Sequence, residues 1–183
     1  MKILQITSGQ DANDATRHCM TLAEDLTERG HEVTVACRPN AWIADRAAQA
    51  GLATHLTDLR CWPLAEVRCT ARYAMEQGVE LIHTHMSRAH TFGILLRFAT
   101  GVPCVATAHS RRIQWHWMFN DLVIAISEKA RRFHETYNLV RPDRIVSAGP
   151  ALACPEQPDG STASQTAGIE IALSQVVKRR RAA

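Results

Sequence analysis

Short apolar runs rich in β-branched residues alternate with amphipathic stretches, and the joints between them carry glycine; this alternation limits the possible folds most tightly. The apolar runs fall at residues 3–6, 32–37, 54–59, 80–85, 102–108, 122–126 and 144–146. Helical spacing fills the intervals 19–29, 42–50, 64–77, 89–100 and 128–137. In the first of these, Cys19, Leu22, Ala23 and Leu26 recur every three or four positions, which is one buried helix face. Gly30, Gly51, Gly78 and Gly101 close successive helices, and Pro63 suits a helix start. The strand runs are almost continuously apolar, as strands covered on both faces should be. The prediction is an α/β fold, a parallel sheet with helices on both faces.

At 183 residues, with 46% hydrophobic and 21% charged residues, the chain suits one ordinary domain, expected over residues 1–153. Residues 154–183 read differently, as a linker-like and basic tail with no second domain. Pro155 to Ser164 has no core pattern. One short helix over 169–177, with Ile169, Leu173, Val176 and Val177 on a face, precedes the basic run Lys178-Arg179-Arg180-Arg181. This tail reads as an appendage that orders on meeting a partner. A net charge of +3 gives no footing for nucleic acid. Six cysteines without a Cys-x-x-Cys pair read as reduced thiols. The N-terminus turns polar too soon for a signal peptide, and no apolar run reaches the roughly 18 residues of a membrane span. The expected location is cytoplasmic.

Open parallel sheets bind ligands at the carboxyl ends of their strands. That directs attention to Gly9, His83, His85, His109 and Ser127. Gly9 serves either backbone contact with a substrate or a tight turn. There is no G-x-G-x-x-G, so a dinucleotide enzyme is disfavoured. His83 and His85 point to one face of a strand. A metal site needs three or four converging ligands, and no carboxylate partner is evident, so the reading is no metal, one interior histidine and one rim histidine, His85. His109 closes a buried strand, where an imidazole can bond a substrate hydroxyl or exchange a proton. Arg111 and Arg112 follow it, and then come Trp115 and Trp117. This stretch suits anionic lipid headgroups or a phosphorylated or sugar acceptor, or else tryptophans packed on the core beneath solvated arginines. Ser127 suits an N-cap, and a helix N-terminus also suits phosphate. No P-loop, nucleophile elbow or zinc signature is present.

The order of motifs carries a resemblance. Ala15-Thr16-Arg17-His18 leads to Arg29-Gly30-His31-Glu32-Val33-Thr34-Val35. Leu81-Ile82-His83-Thr84-His85-Met86-Ser87-Arg88-Ala89 and Gly101-Val102-Pro103-Cys104-Val105-Ala106-Thr107-Ala108-His109 follow. Asp121-Leu122-Val123-Ile124-Ala125-Ile126-Ser127-Glu128 and Arg141-Pro142-Asp143-Arg144-Ile145-Val146 complete the series. Over Met1 to Gly149 the chain resembles the N-terminal, acceptor-side domain of family-4 retaining glycosyltransferases, enzymes of two facing Rossmann-like domains known as the GT-B fold. The resemblance implies transfer of a sugar from a nucleotide-sugar to a glycan or lipid-linked acceptor, without a metal or other cofactor, as in polysaccharide or lipopolysaccharide assembly. It places His109 near the reacting sugar and sets His85 and Arg88 beside the cleft. Catalysis by positioning and by electrostatic stabilisation of the leaving phosphate is physically sufficient.

Three departures qualify what the resemblance implies. Asn13-Asp14 stands where the family usually has Gly-Gly, and an aspartate is unfavourable beside nucleotide phosphates. Gly149-Pro150-Ala151 stands where the family has Pro-Asn-Gly. The residues after Ala153 are too few for the second domain, which needs on the order of 100. The expectation is therefore a transferase half that works with a separate donor-binding chain and is inactive or very weak alone, with peripheral contact at the inner face of a membrane. The alternatives are a non-catalytic sugar- or lipid-binding module and a truncated relic.

Overall fold

The structure is a computed structural model that describes residues 1–59, 64–148 and 162–182. Cys61, Pro63, the Gly149-Pro150-Ala151 step, Cys154 and the linker-like residues 155–161 lie outside them. Strands and helices alternate as expected, with the fifth and sixth strands joined by a loop rather than an α-helix. They are β1 (Lys2–Thr7), α1 (Asp14–Glu28), β2 (Glu32–Cys37), α2 (Trp42–Gln49), β3 (Ala53–Leu56), α3 (Leu64–Glu76) and β4 (Leu81–His85). Then come α4 (Ser87–Thr100), β5 (Cys104–Ala108), β6 (Leu122–Ala125), α5 (Glu128–Tyr137), β7 (Ile145–Ser147) and α6 (Thr162–Arg181). The strands form one seven-stranded sheet in the order β3-β2-β1-β4-β5-β6-β7. It is a Rossmann-like α/β fold. The chain divides into two compact units, Met1–Cys104 and Val105–Ala183.

In the first unit β1 is the central strand. Leu4 pairs with Thr34 of β2 on one side and with Ile82 of β4 on the other, both in parallel. Leu4, Ile6, Ile82, Phe92, Ile94 and Cys104 belong to one buried cluster. Helix α4 comes unusually close to the sheet. A Cβ on Gly93 would lie 2.4 Å from Thr84 Cγ2 and 3.0 Å from Cys104 Sγ. The end of α1 shows why glycine marks the joints. Gly30 adopts φ +85°, its N–H bonds Thr27 O, and His31 N–H bonds Leu26 O. These are the paired bonds that satisfy a helix's last carbonyls when one residue turns left-handed. The same pair recurs at Gly78, from Gly78 N to Met75 O and from Val79 N to Ala74 O.

The second unit has its own core of Ala106, Ala108, Trp117, Val123, Ala125, Ala130, Val140 and Ile145. Within it β6 pairs in parallel with β5 and β7. Residues 162–168, read as the end of a linker and the approach to a short helix, belong instead to α6, a 20-residue helix. Ile169, Leu173, Val176 and Val177 are buried, as is Ala172, so the apolar face read from the sequence is a packed one. Lys178 to Arg181 continue α6 as exposed cations in its last turn. That end of a helix favours positive charge.

Cys19, Cys37 and Cys104 are buried and Cys69 is exposed, all as free thiols. Burial pushes the Cys19 thiol up to about 12 and that of Cys37 to about 11. Neither forms the reactive thiolate near neutrality.

Candidate functional site

Chain order changes direction between β1 and β4, so their carboxyl ends flank the switch point where sheets of this type open a crevice. Thr7 of β1 stands beside His85 of β4. Gly9 is buried just beyond β1. A Cβ there would sit 2.2 Å from Thr16 Cγ2 and 3.0 Å from Met86 Sδ. Packing alone therefore requires glycine at this turn. Thr16 is fixed by a capping box: Asn13 Oδ1 accepts Thr16 N–H at 3.1 Å, and Thr16 Oγ1 accepts Asn13 N–H at 2.8 Å. Asn13, which stands in place of the family's glycine, is thus the N-cap of α1.

After β4 the backbone passes through Met86 at φ 74°, ψ 151°. A non-glycine residue there carries strain of roughly 1–3 kcal/mol, and such strain gathers at functional sites. Met86 is also the N-cap of α4 and gives it no side-chain cap. Arg88 is exposed in the first turn of that helix.

Beneath this rim lies a polar interior. His83 and His85 are both fully buried, with ring centroids 4.5 Å apart. His85 is thus no rim residue, because α1 lies against this face of the sheet. The His18 ring meets His85 edge-on at 5.8 Å, and burial lowers the His18 pKa although Asp25 raises it. The Gln5 amide donates to Cys19 O at 2.7 Å and stands 3.3 Å from His85 Nε2. With the amide donating, His85 accepts through Nε2 and carries its proton on Nδ1. Gln5 is the one polar residue inside the first apolar run, the only sequence signal of its part here.

In the second unit, His109 follows β5 and is half-buried. Ser127 Oγ accepts Ala130 N–H at 3.2 Å, so it caps α5. Arg111 and Arg112 are exposed in the loop after β5, and that loop is tied to α5. Asn138 Oδ1 accepts Gln114 N–H at 2.8 Å, while its Nδ2 donates to Arg112 O and to His134 Nδ1, both at 2.9 Å. His134 Nε2–H donates to Ser110 O at 3.2 Å. Every partner agrees on one tautomer, neutral and protonated on Nε2. Trp117 packs on His134 with ring centroids 4.4 Å apart. Trp117 lies in the core and Trp115 in solvent, so the two tryptophans part ways across a 3-10 turn, Trp115–Phe119. Neither His134 nor Asn138 was singled out from the sequence, where they read as part of a charged helix and its end.

The family model for glycosyltransferase family 4 matches residues 15–148. Among solved structures, HepE of Anabaena in complex with UDP-glucose aligns with a TM-score of 0.69 at 16% identity, covering 85% of this chain and 47% of that one. A glycosyltransferase from Rickettsia africae aligns at 0.68 and 15% identity, covering 85% and 46%. The lipopolysaccharide outer core galactosyltransferase WaaB aligns at 0.62 and 12%, covering 85% and 47%. At these identities the likeness establishes the fold, that of one half of a GT-B glycosyltransferase. The chain spans about half the length of these structures. No curated protein matches it.

Proposed function

The chain belongs to glycosyltransferase family 4, and from that premise we propose that it is the acceptor-side half of a retaining transferase, moving a sugar from a nucleotide-sugar to a glycan or lipid-linked acceptor. The single observation that carries the reading is the family match across residues 15–148, which supports it together with the strand order β3-β2-β1-β4-β5-β6-β7. In this proposal a donor-binding half completes the cleft. His109 approaches the reacting sugar from the end of β5 and bonds one of its hydroxyls. Arg88, Arg111 and Arg112 are exposed, so each offers a guanidinium to a phosphate or sugar oxygen. Gly9 leaves the rim free of a side chain at the switch point. His85 acts from below, by setting the packing beneath the rim. Ser127 orients α5 through its cap. The transfer takes place without a metal: the donor half binds the leaving phosphate, and these groups position the acceptor.

The test is a transferase assay with UDP-sugar donors, on this chain alone and with a donor-binding half added. Alone, turnover is expected below roughly 0.01 s⁻¹, against the ~1–10³ s⁻¹ of ordinary enzymes. Ordinary turnover by the pure chain would refute the split arrangement. In the active assembly His109→Gln lowers kcat/KM by on the order of 100-fold, and an unchanged value removes His109 from the mechanism. Chelation by EDTA leaves the rate unchanged; a loss restored by a divalent cation overturns the metal-free step.

A further inference from the structure

Residues 110–114 follow His109 without regular structure, yet α5 and its end hold them by three main-chain groups. Ser110 O, Arg112 O and Gln114 N–H, one from every second residue, all meet His134 or Asn138. An extended segment usually finds such partners along a neighbouring strand. Here two buried side chains one helical turn apart supply them. They are also bonded to each other, Asn138 Nδ2 donating to His134 Nδ1 at 2.9 Å.

Only one protonation state satisfies this set. With the His134 imidazole neutral and its proton on Nε2, every donor meets an acceptor. A second proton would sit on Nδ1, directly against the Asn138 NH2 group. Turning the amide over would give that proton a charge-assisted acceptor in Oδ1. The same turn would set Nδ2 against Gln114 N–H and Oδ1 against Arg112 O. Protonation therefore costs either the link to the ring or both Asn138 links to the loop. A buried group left unpaired is expensive, whereas groups on an exposed loop can turn to water. The loop side is the side that gives way. No nearby charge offsets the choice. His116, in the 3-10 turn, is the ring that feels a charge on His134, and burial holds it neutral. Trp117 and Phe133 present rings at 4.4 and 5.5 Å. On α5 itself Arg131 bonds Glu128 and Glu135. Among the described residues no carboxylate bonds His134. Burial lowers its pKa below the ordinary 6.5, against the pull of Ser110 O.

We propose that His134 and Asn138 are positioning residues, a latch that holds Arg111 and Arg112 in their binding arrangement while His134 is neutral and releases them when it takes a proton. This rests on the reading above, in which the two arginines meet the acceptor. Neither latch residue touches the acceptor. Both act through the main chain on either side of Arg111 and Arg112, so the latch governs how well an anionic oxygen is gripped and leaves the reacting groups alone.

The experiment is NMR of the full chain between about pH 7.5 and 5, a range that spans the ordinary histidine pKa, following the His134 ring, the Gln114 amide and, as a control on global unfolding, the amides of β1. Protection of Gln114, corrected for intrinsic exchange, should fall at least about tenfold as His134 titrates, while β1 stays protected. Asn138→Ala should lower that protection at every pH. Asn138→Asp is the sharper variant, because a carboxylate accepts both Gln114 N–H and the extra proton on Nδ1. There His134 should titrate higher and Gln114 should stay protected in acid, a reversal that a merely structural role would not produce. Sulfate, whose charge is constant over this range, is the probe of the arginines, read at their Nε–H signals. Its binding should weaken at least about threefold in acid in the natural chain and stay flat in Asn138→Asp. Added positive charge alone would strengthen it. The latch is refuted if Gln114 stays protected while His134 titrates, or if the ring remains neutral throughout. The positioning role is refuted if the loop is released and sulfate binds as well as before. A chain that passes both tests but transfers no sugar in any assembly would sink the transferase reading alone.

Discussion

The strand ends at β1 and β4 and the loop after β5 solve opposite problems. The first region is polar inside and closed by contact: Gln5, His83 and His85 are buried, and Gly9 lets Thr16 and Met86 approach within van der Waals range. The second is apolar outside and held from below by a polar clamp, His134 and Asn138. Gln5 donates to Cys19 O and the His83 and His85 rings lie against each other, so the first region is specified by the side chains packed on it. Exposed apolar groups gain little from the fold that presents them, so the outer side chains of the second region contribute little to its stability.

The sharpest break of this contrast uses two tryptophans two positions apart. Trp117→Ala is expected to cost about 3–5 kcal/mol in denaturant unfolding, as for a large core ring. Trp115→Ala should stay within roughly 0.5 kcal/mol. Equal effects would erase the distinction between the buried clamp and the exposed side chains above it. Next in size is Gly9→Ala, expected to cost about 1–3 kcal/mol because the new methyl overlaps Thr16 Cγ2. Thr16→Ser removes that methyl, keeps the capping hydroxyl, and should recover much of the loss. Failure to recover it would mean that Gly9 answers to Met86 or to the backbone.

A smaller effect separates the regions by pH. Burial pushes His116 down to about 4, helped by the nearby His134, and burial also lowers His134. The fold holds these imidazoles neutral, so the unfolded chain takes up their protons first, near 6.5. Their contribution is complete above that value and is lost as the pH falls from about 6.5 towards 4. Urea midpoints should decline across this window, and the slope should become shallower in His134→Gln. An unchanged slope would place the titration elsewhere, with His18 the first residue to examine, since its pKa is also lowered by burial.

Most strands were legible because they are buried apolar runs, the exposed edge strand β3 being the exception, and the helix ends because glycine marks them. Helix α1 begins five residues before the expected start at Cys19, since its capping box uses threonine where glutamate or glutamine is the usual signal. The extent of α6 was hidden because residues 162–168 are small and polar and show no apolar period. Within the candidate site, the positions after the strands were readable from order alone. Burial was not: period-2 alternation puts His83 and His85 on one face, and only the packed α1 shows that the face is covered. The division of Trp115 from Trp117 depends on a 3-10 turn, and the clamp joins residues more than 20 positions apart.

The central place of β1 bears on how this chain must be made. Its first neighbour, β2, is the next strand in the sequence, but its second, β4, begins roughly 45 residues after β2 ends. At a synthesis rate of ~5–20 residues per second, the other edge of β1 waits several seconds for its partner. During that interval a growing chain exposes an unpaired apolar strand, the kind of edge that recruits other chains. Expression yield should therefore respond to translation speed through α2, β3 and α3, a segment far from any residue assigned a chemical role.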